Sequence, residues 1–185
     1  MDPNWLSTHQ LHWETCERCP LHLHASRHVL FDLGEGLAPS VLFIGEGPGR
    51  SENLIGRPFV GKAGRLLRTA VEMARKGVVP KPSVAYANLV ACRPCDDARG
   101  PNRAPTQVEV ESCMPRLMEL IMNLNPATIC LLGKVPTSYK EVLKSLLPKP
   151  SYRELAHPSW IVRRGGVLSK DWPTYLASLE EVLRS

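Results

Sequence analysis

Residues 41–64 read VLFIGEGPGRSENLIGRPFVGKAG, and this stretch sets the architecture. Val41 to Ile44 is an apolar run short enough for a buried strand. It stops at Gly45-Glu46-Gly47-Pro48-Gly49, a turn rich in the residue that tolerates unusual backbone torsions. From Lys62 to Lys76 the apolar residues Ala63, Leu66, Leu67, Ala70, Val71 and Ala74 recur at helical spacing. A strand feeding a glycine-rich loop is where open α/β sheets place ligands, at the carboxyl ends of strands. The loop is not a phosphate-cradling Gly-Lys-Ser/Thr turn. It is a poor dinucleotide fingerprint too, since Pro48 interrupts it and no helix starts at once.

The rest of the chain repeats the alternation. Residues 31–40 form a turn-rich lead into the first strand. Val84 to Ala91 is a second strand with Asn88 inside it, and Ala127 to Leu132 a third that buries Cys130. A short strand from Tyr152 to Ala156 ends at His157-Pro158-Ser159-Trp160, followed by a basic, flexible loop at Arg163-Arg164-Gly165-Gly166. Helices are expected over Gln107–Asn123, started by a Thr106/Glu109 capping box, and over Pro136–Leu147 and Trp172–Arg184. This order predicts an α/β fold with three layers, α/β/α, around a central, mostly parallel four-stranded sheet.

At 185 residues the chain is expected to be one domain, 1–185, with an N-terminal segment that carries thiols. No apolar run approaches the roughly 20 residues of a membrane span. The first residues lack the pattern of a signal peptide, so a cytoplasmic location and no membrane partner are expected. A net charge of +5 suits a polyanionic partner without demanding one. Six cysteines in that compartment suggest metal or redox chemistry. Cys16 and Cys19 form one C-x-x-C, and Cys92 and Cys95 another, so these four make a possible zinc set. His9 and His12 could join the first pair, although exposed helix positions are the simpler expectation. His22, His24 and His28 receive no role.

Glu46, Asn88 and His157 each lie in or at the end of an expected strand, so a parallel sheet would bring them to one edge. GEGPG (Gly45–Gly49), GRPFVGKAG (Gly56–Gly64), NLVACRP (Asn88–Pro94), NRAPT (Asn102–Thr106), Cys113 and HPS (His157–Ser159) follow Cys16 and Cys19 in order. In this the chain resembles the family 4, iron–sulfur type of uracil-DNA glycosylase, over nearly its whole length. The resemblance implies an enzyme that flips uracil out of single- or double-stranded DNA and hydrolyses its N-glycosidic bond. It implies that Phe59 stacks on the base, Asn88 reads its polar edge, and backbone groups at Gly45 and Gly47 help hold it. His157 would stabilise charge on the departing base, and Glu46, as the matching carboxylate, would orient or activate water; apart from the resemblance, Glu52 is the alternative carboxylate for that task. Arg163 and Arg164 would contact phosphate. It further implies a 4Fe–4S cluster on Cys16, Cys19, Cys92 and Cys113, with Cys95 spare. A monomer is expected. Two intervals depart from the family: Cys92 to Cys113 is long, and Gly133 to His157 short. The short interval motivates an alternative, a non-catalytic DNA-binding module that keeps fold and cluster.

Overall fold

The structure is a computed structural model that describes residues 4–34, 36 and 38–185, so Glu35 and Leu37 of the turn-rich lead lie outside the described residues. Helix α1 (Trp5–Glu14) and a 3-10 turn (Pro20–His24) precede strand β1 (Val41–Gly45). Then come α2 (Arg50–Ile55), α3 (Lys62–Ala74), β2 (Val84–Asn88), α4 (Gln107–Leu124) and β3 (Thr128–Leu132). The last part holds α5 (Lys134–Ser138), α6 (Lys140–Leu146), β4 (Ser151–Leu155), α7 (Pro158–Arg163) and α8 (Trp172–Arg184). The four strands form one sheet in the order β2-β1-β3-β4, every pair parallel, with Val41 level with Val84 and Thr128.

Strand alternation separates two cores. Val41, Phe43, Tyr86, Cys130 and Leu132 face one side, under α3, α7 and α8. Leu42, Ile44, Ala85, Ala87, Ile129 and Leu131 face the other, under α1, α4 and α6. The central strands are buried on both faces, which is why they read as continuous apolar runs. The expected three layers are therefore present.

Several boundaries move. Strand β2 stops at Asn88 and not Ala91, because Val29 N–H donates to Ala91 O at 2.7 Å and the N-terminal segment takes over. The helix expected over Pro136–Leu147 is two, broken at Tyr139, whose N–H closes a tight turn on Pro136 O at 3.1 Å. The loop expected after His157 holds α7, with His157 as its N-cap, Pro158 in the first turn and Ile161 buried beneath it. Arg163 is thus a helix residue, and the expected flexible loop is instead a turn at Arg164-Gly165 into a 3-10 helix (Gly166–Leu168). His9 is not exposed. Trp5, His9 and Trp13, spaced by four, form the buried stripe of α1, and His9 Nδ1 bonds Glu119 Oε1 at 3.0 Å.

Candidate active site

The carboxyl ends of β1, β2 and β4 open onto a cleft of about 300 Å³, enough for a small ligand. Gly47, Gly49, Glu52, Phe59, Asn88, Asn102 and His157 line it. Asn88 is the last residue of β2 and is 3% exposed. Its backbone carbonyl accepts from Arg116 Nη2 at 2.6 Å, while its side-chain amide makes no hydrogen bond among the described residues. A buried amide left open in this way offers one acceptor and two donors to a ligand. Gly45 lets the cleft close in. A Cβ there would lie 2.5 Å from Asn88 Oδ1 and 2.7 Å from Phe59 Cζ.

Phe59 has φ +55°, a left-handed conformation that bulky residues avoid, so its surroundings must hold it. Glu52, in α2, takes the N–H groups of Val60 and Gly61 on one oxygen, at 2.9 and 2.7 Å. Arg68, in α3, donates to Phe59 O at 3.0 Å and Pro58 O at 2.8 Å, and is itself fixed by Asp32 at 2.5 Å. Gly64 completes the clamp. A Cβ on it would fall 2.2 Å from Phe59 C, a clash with backbone that cannot move aside. Glu52 lines the cleft, but its bonded oxygen supports the Phe59 loop. Sequence reasoning missed this brace because α2 has no apolar stripe: its buried residues are Glu52 and Asn53.

His157 Nδ1 accepts the Ser159 backbone N–H at 3.2 Å and lies 2.7 Å from Ser159 Oγ. An N–H can only donate, so Nδ1 carries no proton and the neutral ring carries it on Nε2. Burial, and then the positive charge of Arg163, hold the imidazole pKa below its ordinary value and favour this neutral form. Glu46 follows Gly45 directly. It is half-buried, and burial raises its carboxyl pKa. It is not among the residues lining the cleft, so the three expected partners converge unequally: Asn88 and His157 share the cleft and Glu46 stands beside it.

Arg163 is exposed and donates to Ser159 Oγ at 3.2 Å. Arg164 pairs with Asp171 and lies over the Trp160 ring, 4.8 Å from its centroid, so its charge is locally offset. Arg50 and Lys62, both exposed, also line the cleft and add cations that the sequence did not single out.

A second cavity lies behind Asn88. Cys16, Cys19, Cys92 and Cys113 line it together, with His22, His28 and Arg116. Burial pushes the Cys92 thiol up to about 12, with the nearby thiols of Cys113, Cys19 and Cys16 adding to the effect. Ala91 N–H donates to Cys113 Sγ at 3.4 Å. Cys95 lies outside this cavity, with its thiol 3.6 Å from Arg93 O. His22 Nδ1 donates to Cys19 O at 2.7 Å and His28 Nε2 to Cys16 O at 2.9 Å, so two histidines without a sequence-based role orient the C-x-x-C turn. Their irregular spacing hid them. Among the described residues no three His, Cys, Asp or Glu side chains are grouped tightly enough for a single metal ion.

A family model described as the uracil DNA glycosylase superfamily matches residues 31–179. The chain is 40% identical over 125 residues to a type-4 uracil-DNA glycosylase of Thermotoga maritima, covering 67% of this chain and 59% of the relative. It is 42% identical over 123 residues to one of Pyrobaculum aerophilum, covering 66% and 57%. A third, from Archaeoglobus fulgidus, is 35% identical over 125 residues, covering 68% and 58%. The chain thus spans less than two thirds of the length of these relatives.

Proposed function

The chain belongs to the uracil DNA glycosylase superfamily, and from that membership we propose that it removes uracil from DNA by hydrolysing the N-glycosidic bond, the first step of base excision repair. The observation that carries this reading is the cleft itself: an open, buried amide on Asn88, the aromatic side chain of Phe59 and an imidazole whose proton lies on Nε2.

A base inside a duplex is out of reach, so the nucleotide is extruded and its base enters the cleft. Phe59 stacks on the ring. Asn88 pairs donor and acceptor with the polar edge of uracil, and backbone groups at Gly45 and Gly47 close around it. As the bond from the sugar to the ring nitrogen breaks, its electron pair moves onto the base, largely to the neighbouring carbonyl oxygen. His157 Nε2–H donates to that oxygen, and a neutral donor does this without giving up its proton. Glu46 accepts a proton from water as the water oxygen bonds to the cationic sugar carbon. Its burial makes it a better base near neutral pH than an exposed carboxylate. Arg163 takes phosphate, whereas Arg164 contributes less because Asp171 neutralises it.

Four thiols around one cavity suit a 4Fe–4S cluster, with Cys16, Cys19, Cys92 and Cys113 as ligands. Bound there, the cluster would supply a cross-link between the N-terminal segment, the chain after β2 and α4; hydrolysis needs no electron from it. We place the whole chain, as a single domain and a monomer, in the cytoplasm with DNA as its partner. Among the described residues no helix is long and apolar enough to cross a membrane. The test is release of free uracil from single- and double-stranded oligonucleotides with one uracil, by protein reconstituted with iron and sulfide. Turnover is expected on both. Binding without turnover would favour a non-catalytic DNA-binding module.

A further inference from the structure

Arg116 lies on α4, is 1% exposed, and has a role that neither the cleft nor the thiols explain by themselves. Its guanidinium donates to three backbone carbonyls: Leu30 O at 2.9 Å, Asn88 O at 2.6 Å and Leu89 O at 3.1 Å. Its Nε is buried and makes no hydrogen bond among the described residues. None of these partners is an anion. The carboxylate one turn along, Glu119, is already held by His9 at 3.0 Å and Trp13 at 2.8 Å. A buried cation with neutral partners only is costly, and a protein usually places a negative charge beside it. Arg116 lines the cavity of the four cysteines. Four thiolates around a dicationic iron–sulfur core carry two net negative charges, and that is the missing counter-charge.

We propose that Arg116 is the internal counter-cation of the iron–sulfur cluster and, through Asn88 O, the positioning residue that links the cluster site to the base-reading amide. The proposal rests on the cluster reading above. One guanidinium spans both sites, so loss of the cluster leaves an uncompensated charge directly behind the end of β2. Loss of Arg116 leaves the cluster's negative charge unbalanced and the Asn88 carbonyl without its donor.

The experiment compares the full chain with Arg116→Gln and Arg116→Lys, each reconstituted with iron and sulfide. It reads bound iron, the cluster's reduction potential by spectroelectrochemistry, and kcat and KM on a uracil oligonucleotide. Arg116→Gln is expected to shift the potential to more negative values, because an electron is less welcome once the cation has gone. It should also release iron several-fold faster and raise KM several-fold more than it lowers kcat. Arg116→Lys keeps the charge, so its potential should stay near wild type while KM still rises. If Arg116→Gln holds no cluster and Arg116→Lys does, the counter-charge role stands. Equal potentials in all three proteins, or loss of the cluster in both variants alike, would overturn it and leave a structural brace. A wild-type chain that takes up no iron overturns the cluster reading, and the Arg116 role with it.

Discussion

At the scale of single residues, the cleft depends on protons being in stated places. The backbone N–H of Ser159 fixes the unprotonated nitrogen of His157, leaving Nε2–H to donate. His157→Ala should lower kcat about 100- to 1,000-fold with little change in DNA affinity, checked by single-turnover excision and a binding titration. The pH dependence has a definite sign. Burial and Arg163 lower the His157 pKa, so the ring stays neutral through neutral pH; below the ordinary value of about 6.5 a proton on Nδ1 would oppose the Ser159 N–H and release the ring from its orientation, and on that account the rate should fall only on acidification. Arg163→Ala removes one cause of that shift and should move the acid limb upward, measurable as a pH–rate profile. Asn88→Ala should cost about 1–3 kcal/mol of transition-state binding, seen in kcat/KM, because the polar edge of the base loses its partner.

At the scale of elements, the cleft is built by clamps between neighbouring helices and loops. Gly64→Ala puts a methyl group into the Phe59 backbone. It should destabilise the fold by about 2 kcal/mol, or displace Phe59 and raise KM, separable by urea unfolding and kinetics. The capping box of α4 is complete, Thr106 Oγ1 accepting from Glu109 N–H at 3.3 Å and Glu109 accepting from Thr106 N–H at 2.7 Å. The sequence made this start legible because both partners are local. The strands and α8 were legible for a similar reason: their apolar patterns survive in one dimension. What stayed hidden is held by polar groups acting over distance. Helix α2 buries Glu52 and Asn53 instead of a stripe, His9 is buried against a carboxylate 110 positions away, and Arg116 reaches the end of β2 from the middle of α4. Motif order placed Asn88 and His157 in one cleft, but it could not show that Glu52 braces Phe59.

At the scale of the whole molecule, the thiol cavity joins the N-terminal segment to the sheet, so stripping the proposed cluster with a chelator should lower the thermal midpoint and loosen residues 5–30 first, seen by hydrogen exchange. His9 adds a second link. Burial lowers its pKa, opposed by the hydrogen bond to Glu119, so between about 6.5 and the lowered native value the unfolded chain takes a proton that the folded chain refuses. Stability is therefore full above that window and falls as pH drops through it. His9→Gln should flatten this slope in urea midpoints compared at about pH 7.5 and 5.5. The two rims of the sheet are finished differently. Beyond β2, Asp32 exchanges backbone bonds with Tyr86 at 2.8 Å in both directions, while β4 presents exposed Arg153 and Glu154. One border is interrupted at Tyr86 by the chain itself and the other repels a flat apolar strand, so even at high concentration neighbouring copies would have little scope to zip together into fibrils.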